Sequence, residues 1–224
     1  MTTFAVIDFE TSSFDDDARV VELASILIDS VLWTDYKWQA RFDPGVPITP
    51  EASAIHHLTN ADVKDQPRFG FGYWIDAVHD ADVICAHNAA FDQKFVPSGE
   101  AVAPWICTWK CALRAWPDAP GHGNQVLRYW LGLKPDLPKD LYPHCALYDA
   151  IVTAGILQKL LETWPEEELI AISFEPALLP KVRFGKKHYG SRWADVPKDY
   201  LRWILGQDFD ENVRYTARYW LDHR

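Results

Sequence analysis

Two carboxylates end the first hydrophobic segment of the sequence. In FAVIDFET, residues 4–11, an apolar run leads directly into Asp8 and Glu10. Residues two positions apart in an extended strand point to the same face, so these two side chains are expected to lie side by side. Like charges on one face repel each other unless a cation joins them. The pair therefore predicts a cation site at the end of a strand.

Three further ionisable residues lie at the edges of other apolar segments. Asp92 follows the segment DVICAHN, and HCALYD places His144 five residues before Asp149. Asp149 falls in the first turn of a long predicted helix, where the helix dipole favours a carboxylate. Taken singly, these residues are typical of ordinary helix starts and caps. Together with Asp8 and Glu10 they indicate an active site.

Carboxylate oxygens are typical ligands of Mg²⁺ or Mn²⁺ rather than of zinc. Two such ions, about 3.5 to 4 Å apart, can stabilise the attacking and leaving oxygens of a phosphoryl displacement. An imidazole, whose ordinary pKa is about 6.5, can accept a proton near neutral pH. The set therefore suits metal-assisted hydrolysis of a phosphodiester.

Hydrophobic periodicity predicts the elements that must position these residues. Residues 4–10, 20–29 and 31–42 predict a three-stranded meander, and residues 82–88 predict a buried strand that leads into a helix with Asn88 as its N-cap. Helices are predicted at 107–116, 124–133 and 147–164. Strands that come first and helices that follow are typical of an α/β fold with one mixed sheet flanked by helices.

Charge divides the chain into unequal parts. The net charge of the 224 residues is -10, but residues 1–172 carry 12 Lys or Arg and 25 Asp or Glu, whereas residues 173–224 carry 10 and 7. We expect a domain at 1–172, a proline-containing linker at 173–182, and a small basic and aromatic module at 183–224. A basic run such as KVRFGKKHYGSR is commonly a solvated turn. Its interleaved aromatic residues favour a nucleic-acid surface.

The cysteines and the hydropathy exclude several classes of protein. The four cysteines are scattered without a Cys-x-x-Cys pair, which favours reduced, buried thiols over a zinc site. The sequence contains no signal peptide and no uncharged apolar stretch of the roughly 18 residues needed to cross a bilayer. We expect a soluble, cytoplasmic protein with no membrane association.

The motifs DFET, HNAAFD and HCALYD resemble the three motifs of the DEDDh family, the ribonuclease-H-like 3'-to-5' exonucleases. The resemblance spans about residues 4–162, and the order and spacing of the motifs carry it. It implies a ribonuclease-H-like fold. The tail FGKKHYGSRWADVPKDYLRWIL is similar to the C-terminal module of one DNA-degrading subgroup of the family.

The resemblance also implies a role for each site residue. Asp8, Glu10 and Asp149 would bind the metal that holds the nucleophilic water, with Asp8 shared with a second metal that Asp92 also holds. His144 would be the general base. The cofactors would be two Mg²⁺ or Mn²⁺ ions, and the product would be a nucleoside 5'-monophosphate.

Candidate nucleic-acid contacts lie close to the motifs and in the tail. Family members often have a glycine and an aliphatic residue shortly after the first motif, but this chain has SSF. Phe14 is therefore predicted to stack on the last base or to act as a wedge, although a hydrophobic plug is an alternative. The full set of candidate contacts is Thr11, Phe14, Asn88, Lys186 and Lys187.

Other polar residues in the matched segments receive supporting roles. Glu22 in VVELAS would be an outer support of the site, a minor ligand or, in the favoured interpretation, a glutamate on the strand surface. His87 is expected to support the loop before Asp92, and His56 and His57 are given no catalytic role.

The preferred function is hydrolysis of DNA from 3' ends, single-stranded above all and also duplex, in DNA repair. RNA is the alternative substrate, because a contact to a 2'-hydroxyl cannot be inferred from these motifs. A non-catalytic module that binds nucleic-acid ends is a third possibility. The presence of all five site residues favours an enzyme. The sequence does not identify protein partners.

Overall fold

The strands form one mixed sheet, which confirms the predicted fold class. The computed structural model describes residues 2–29, 33–97 and 103–224. In this part of the chain the sheet has five strands in the order β3-β2-β1-β4-β5. The β1–β2 and β2–β3 pairs are antiparallel, and the β1–β4 and β4–β5 pairs are parallel. The strands are β1 (Thr3–Thr11), β2 (Val20–Asp29), β3 (Trp33–Arg41), β4 (Val83–Ala86) and β5 (Trp105–Cys107).

The predicted meander is therefore confirmed, apart from residues 31 and 32, which lie outside the described residues. Strand β1 lies at the centre of the sheet and is covered on both faces. Phe4 and Val6 belong to a hydrophobic cluster with Ile151 and other helix residues, whereas Ile7 belongs to a second cluster with Trp74. This double coverage explains the continuous apolar run before Asp8.

Helices cover both faces of the sheet and continue into the C-terminal part. The α-helices are α1 (Pro50–His56), α2 (Asn60–Val63), α3 (Phe71–Ala77), α4 (Thr108–Ala115), α5 (Asn124–Trp130), α6 (Ala146–Leu161), α7 (Glu166–Phe174), α8 (Lys198–Leu205) and α9 (Glu211–Asp222). Helix α6 packs against β1 and β2, and its residues are buried on most sides. It is the long helix that the sequence predicted. None of the helices in the described residues is long and apolar enough to span a bilayer.

The helix predicted from residue 89 with Asn88 as its N-cap is wrong. Asn88 adopts a left-handed conformation with φ 68°, and a hydrogen bond of 2.9 Å from the Phe91 N–H to its carbonyl closes a turn. A short 3-10 helix, Asp92–Phe95, follows. Pro97 limits the segment, because the residue before a proline is driven to extended geometry, as Val96 is. A single tight turn therefore places Asp92.

The C-terminal residues have a hydrophobic cluster of their own. It contains Val182, Trp193, Leu201 and Ile204, with residues of α9 completing it. The structure gives this part of the chain two helices, α8 and α9, after the basic turn. The division of the chain into domains at these positions stays a prediction.

Polar contacts join the C-terminal residues to the rest of the fold. Arg114 of α4 contacts both Glu175 and Tyr215, and Arg192 pairs with Asp118 at 2.5 Å. The four cysteines are free and buried, as predicted.

Candidate active site

The end of β1 presents Asp8 and Glu10 on the face that α6 covers. Both side chains are half-buried, and the alternation of the strand turns the intervening Phe9 to the opposite face. The strand register places Glu10 opposite Glu22 of β2. The predicted pairing of two carboxylates on one face is therefore present in the structure.

Helix α6 brings Asp149 to the same place. Its side chain is buried, and hydrogen bonds of 3.0 Å from the His144 N–H and from Nε2 of Gln125 hold its two carboxylate oxygens. His144 has φ 65°, a left-handed conformation that turns the chain into the helix. Its ring remains 57% exposed, with Nδ1 3.8 Å from Oδ2 of Asp149. Water can therefore reach the imidazole.

The five predicted residues converge at this point. Ligand atoms of Glu10, His144 and Asp149 lie within 4.8 Å of one another, an arrangement that suits a metal ion. Asp92 is buried at the start of its 3-10 helix, and its carboxylate accepts a hydrogen bond from the Phe9 backbone N–H. Asp8 interacts electrostatically with Asp149, Glu10 and Asp92.

The pKa of each of the four carboxyls in the cluster is raised. Burial is the largest cause, and the neighbouring carboxylates add to it for Asp8 and Glu10. The pKa of Asp8 is raised well above its usual range, that of Glu10 to about 9 and that of Asp92 to about 8. The pKa of Asp149 is also raised, although the hydrogen bond from His144 opposes the shift. A divalent cation would replace the protons that these groups otherwise hold, so the residues fit such an ion.

Glu22 corrects an expectation from the sequence, because its side chain is only 1% exposed rather than on the strand surface. Oε1 accepts hydrogen bonds from Gln39 at 3.0 Å and from Nε of Arg41 at 3.1 Å. Oε2 accepts a hydrogen bond of 3.0 Å from the Ala146 N–H at the start of α6. Glu22 therefore links β2 and β3 to the helix that carries Asp149. In the sequence, this role is indicated by Glu22 being the single charged residue within the apolar segment VVELASILI.

Two histidines support the loops around the site. His87 contacts Oγ1 of Thr108 at 2.9 Å and the His122 carbonyl at 2.8 Å, and burial lowers its pKa to about 4. It is therefore neutral and structural, as expected. The Leu58 N–H donates to Nδ1 of His56, so Nε2 carries the proton that it donates to the Thr11 carbonyl at 3.1 Å. His56 thus fixes the end of β1.

The candidate nucleic-acid contacts differ in their exposure. Thr11 is 3% exposed, and its hydroxyl donates to the Ser13 carbonyl, so its side chain is engaged within the protein. Phe14 is 60% exposed in the loop after β1, and Asn88 is exposed in the turn before Asp92. Lys186 and Lys187 lie on an exposed C-terminal turn. Their roles stay predictions.

The chain is similar to known exonucleases in sequence and in structure. A family described as Exonuclease matches residues 5–157. Exodeoxyribonuclease 10 of Escherichia coli strain K12 is 33% identical over 230 aligned residues, which cover 97% of this chain and 98% of that protein. The likeness to this relative includes the C-terminal residues.

Two solved structures are also similar to this chain. A structure of exonuclease X in complex with 5' overhanging duplex DNA aligns with a TM-score of 0.67 and 32% identity, covering 77% of this chain and 99% of that chain. The nuclease domain of 3'hExo, described as a DEDDh family member bound to rAMP, aligns with a TM-score of 0.58. Its identity is 16%, and it covers 71% of this chain and 92% of that chain, so it shows the fold alone.

The buried contacts of Glu22 generate a prediction. Glu22→Gln removes the charge and one acceptor oxygen, so we expect the free energy of unfolding to fall by about 1–3 kcal/mol. Urea unfolding measures this loss. The matched control is Glu162→Gln, which disrupts an exposed ion pair with Lys159 and should change the stability by less than about 1 kcal/mol. Equal effects of the two substitutions would contradict the linking role.

The raised pKa values generate a second prediction. A carboxyl whose pKa is raised on folding stabilises the protein below the unfolded value of about 4.3, and this contribution is lost as the pH rises through the folded value. For Glu10 that value is about 9. In chelator, the melting temperature should therefore fall between pH 5 and pH 9. Glu10→Gln should flatten this dependence, and Mg²⁺ should raise the wild-type melting temperature at pH 8.

Thermal unfolding monitored by circular dichroism makes the measurement. Glu167→Gln, at an exposed position in the first turn of α7, is the control and should keep the wild-type dependence. A wild-type melting temperature that stays level or rises over this range in chelator would contradict the electrostatic description of the cluster.

Proposed function

The chain belongs to the exonuclease family, and from this membership we propose that it is a 3'-to-5' exodeoxyribonuclease. It removes nucleotides from DNA ends, single-stranded above all and also duplex, as nucleoside 5'-monophosphates. One observation carries the proposal: four carboxylates and one histidine, supplied by three separate segments, converge where α6 crosses β1. The relative that matches along nearly the whole chain is an exodeoxyribonuclease.

The carboxylates are proposed to hold two divalent cations, Mg²⁺ or Mn²⁺. Asp8, Glu10 and Asp149 would hold one ion, and Asp92 would hold the second with Asp8. When bound, such ions supply an activated water and stabilise the charge of the leaving oxygen. Oxygen donors and raised pKa values support this assignment, because a hard cation favours these groups in their charged form.

His144 is proposed to accept the proton of the attacking water. Its imidazole is exposed, whereas its backbone N–H holds Asp149 at 3.0 Å. The backbone contact fixes the residue beside the carboxylate cluster, and the exposed ring can reach a water molecule. One residue thus both positions Asp149 and serves as the general base.

Phe14 is proposed to contact the terminal base. Its loop is closed at the base by a 2.8 Å hydrogen bond from the Ser12 N–H to the Arg19 carbonyl and by a 3.0 Å bond from the Arg19 N–H to Oγ of Ser12. A plug would be packed against the protein, but the ring is 60% exposed. Stacking or wedging therefore suits Phe14 better. Asn88 lies exposed beside Asp92 and is proposed to contact the same nucleotide, together with the backbone of Thr11.

The C-terminal module, residues 183–224, is proposed to bind the DNA backbone through Lys186 and Lys187. Both lysines are exposed in a run with five basic residues and no acidic residue. Such contacts are independent of sequence and weaken as salt is added. Residues 173–182 would act as the linker, held along α9 by a 2.7 Å hydrogen bond from the Ala177 N–H to Asn212.

RNA is the alternative substrate within the same family. One structural neighbour is described in complex with rAMP, and a further one with a histone mRNA stem-loop. A role in DNA repair and a cytoplasmic location stay predictions from the sequence. A non-catalytic module is disfavoured, since all five site residues are present and brought together.

An oligonucleotide assay tests the function. With Mg²⁺ or Mn²⁺, the wild type should shorten 5'-labelled DNA in single-nucleotide steps and act more slowly on matched RNA. Chelator or Asp8→Ala should abolish shortening, and His144→Ala should reduce the rate by about 10² to 10⁴-fold with binding retained. His79→Ala, a histidine paired with Asp80 elsewhere on the surface, should leave the rate unchanged. Shortening that survives chelation or Asp8→Ala would contradict the mechanism.

The exposed ring of Phe14 generates a separate prediction. Base stacking on an aromatic ring contributes about 1–3 kcal/mol, so Phe14→Ala should reduce the rate on paired 3' ends by about 5- to 150-fold. The rate on single strands should fall less. Phe174→Ala, which removes an exposed ring at the end of α7, is the matched control. Unchanged activity of Phe14→Ala on paired ends would contradict stacking or wedging and would favour the alternative role of Phe14 as a hydrophobic plug.

A further inference from the structure

A polar pocket of about 370 Å³ lies beside the loop that carries Phe14. Phe69 and Phe95 line it, and both rings contact Phe9, with centroid distances of 5.6 and 5.9 Å. Phe9 stands between Asp8 and Glu10 in the sequence but points to the other face of the sheet. The pocket therefore lies at the same end of β1 as the carboxylates, on the opposite face.

The pocket is basic in an otherwise acidic part of the chain. Arg19, Arg68 and Lys94 line it with a single carboxylate, that of Asp43. Asp43 lies 3.8 Å from Arg68, whereas in the described ranges Arg19 and Lys94 make no ion pair. Residues 1–172 carry 12 basic and 25 acidic residues, so a group of three basic side chains around one pocket is unusual for this acidic part of the chain. Their charge is complementary to a phosphate.

The three cations are supplied by segments that the fold holds in place. Gly45 has φ 70°, and a Cβ there would lie 1.5 Å from Nη1 of Arg68, so the guanidinium rests against the glycine. Asp43 accepts a 2.8 Å hydrogen bond from the Gly45 N–H, which closes this turn. Arg19 stands at the base of the Phe14 loop, and Lys94 lies two residues beyond Asp92. The pocket therefore shares the Phe14 loop and the 3-10 helix of Asp92 with the carboxylate cluster.

Building on the proposed function, we propose that this pocket binds a backbone phosphate of the DNA strand that is not cut. The 3' end to be cleaved must enter the face of the sheet that holds Asp8 and Glu10. The Phe14 loop, residues 12–19, follows β1 directly, and its last residues, Ala18 and Arg19, line the pocket. A phosphate on the pocket side therefore belongs to the complementary strand. The pocket would contact the charged phosphate and not the bases, so binding would be independent of the DNA sequence.

Comparing two substrates shows which DNA strand the pocket binds. The variant Arg19→Ala/Lys94→Ala removes the two unpaired cations, and kcat/KM is measured on a single-stranded oligonucleotide and on the same oligonucleotide in a duplex. We expect a loss of about tenfold or more on the duplex and less than twofold on the single strand. In chelator, the slope of log affinity for the duplex against log salt should fall by about 1 to 2.

The control variant is Lys134→Ala/Lys139→Ala, which removes two exposed cations from the segment between α5 and α6 and should change neither rate. Arg68→Ala should show the same selectivity for duplex as the double variant. An equal loss on both substrates would overturn the proposal by assigning the pocket to the cut strand. No loss in rate or in duplex affinity would also overturn it. A wild type that binds duplex through these cations but cuts neither substrate would instead contradict the exonuclease function.

Discussion

Repulsion between carboxylates is the constraint on which the rest of this structure depends. Asp8, Glu10, Asp92 and Asp149 meet in a partly buried place where water screens them poorly. Burial raises the pKa of all four carboxyls, and repulsion from neighbouring carboxylates raises the pKa of Asp8 and Glu10 further. Such an arrangement opposes folding unless surrounding contacts hold it. The apolar parts of β1 and α6 supply those contacts, because both elements are buried along most of their length.

Hydrogen bonds at the start of α6 complete this restraint. The Ala146 N–H donates to Glu22, and the His144 N–H donates to Asp149. Two N–H groups that have no acceptor within the helix are therefore each paired with a carboxylate near its N-terminus. Glu22 is in turn held by Arg41, which neutralises its buried charge. Glu22, which is not itself a proposed ligand, therefore fixes the start of α6 to β2. Removing its charge would displace Asp149 without removing a metal ligand.

Most of the architecture could be predicted from hydrophobic periodicity, because β1, β2 and α6 are buried and their patterns reflect this directly. The turn at Asn88 could not, since a propensity for helix over residues 89–96 conflicts with Pro97 and the proline prevails. The motifs indicated the five site residues. The outer support from Glu22 was underestimated, because only the structure shows which face of β2 lies beneath α6. Likewise, Arg19, Arg68 and Lys94 are distant in sequence, and no local pattern joins them into one pocket.

We propose that one face of the sheet binds divalent cations, whereas the opposite face carries the basic pocket at the same end of β1. Anomalous diffraction from a crystal soaked in Mn²⁺ would show whether the converging carboxylates bind such ions. Manganese peaks are expected within coordination distance of Asp8, Glu10 and Asp149, and Asp8→Ala should weaken or remove them. Saturating Mn²⁺ that gives no peak at these carboxylates in the wild type would contradict this proposal.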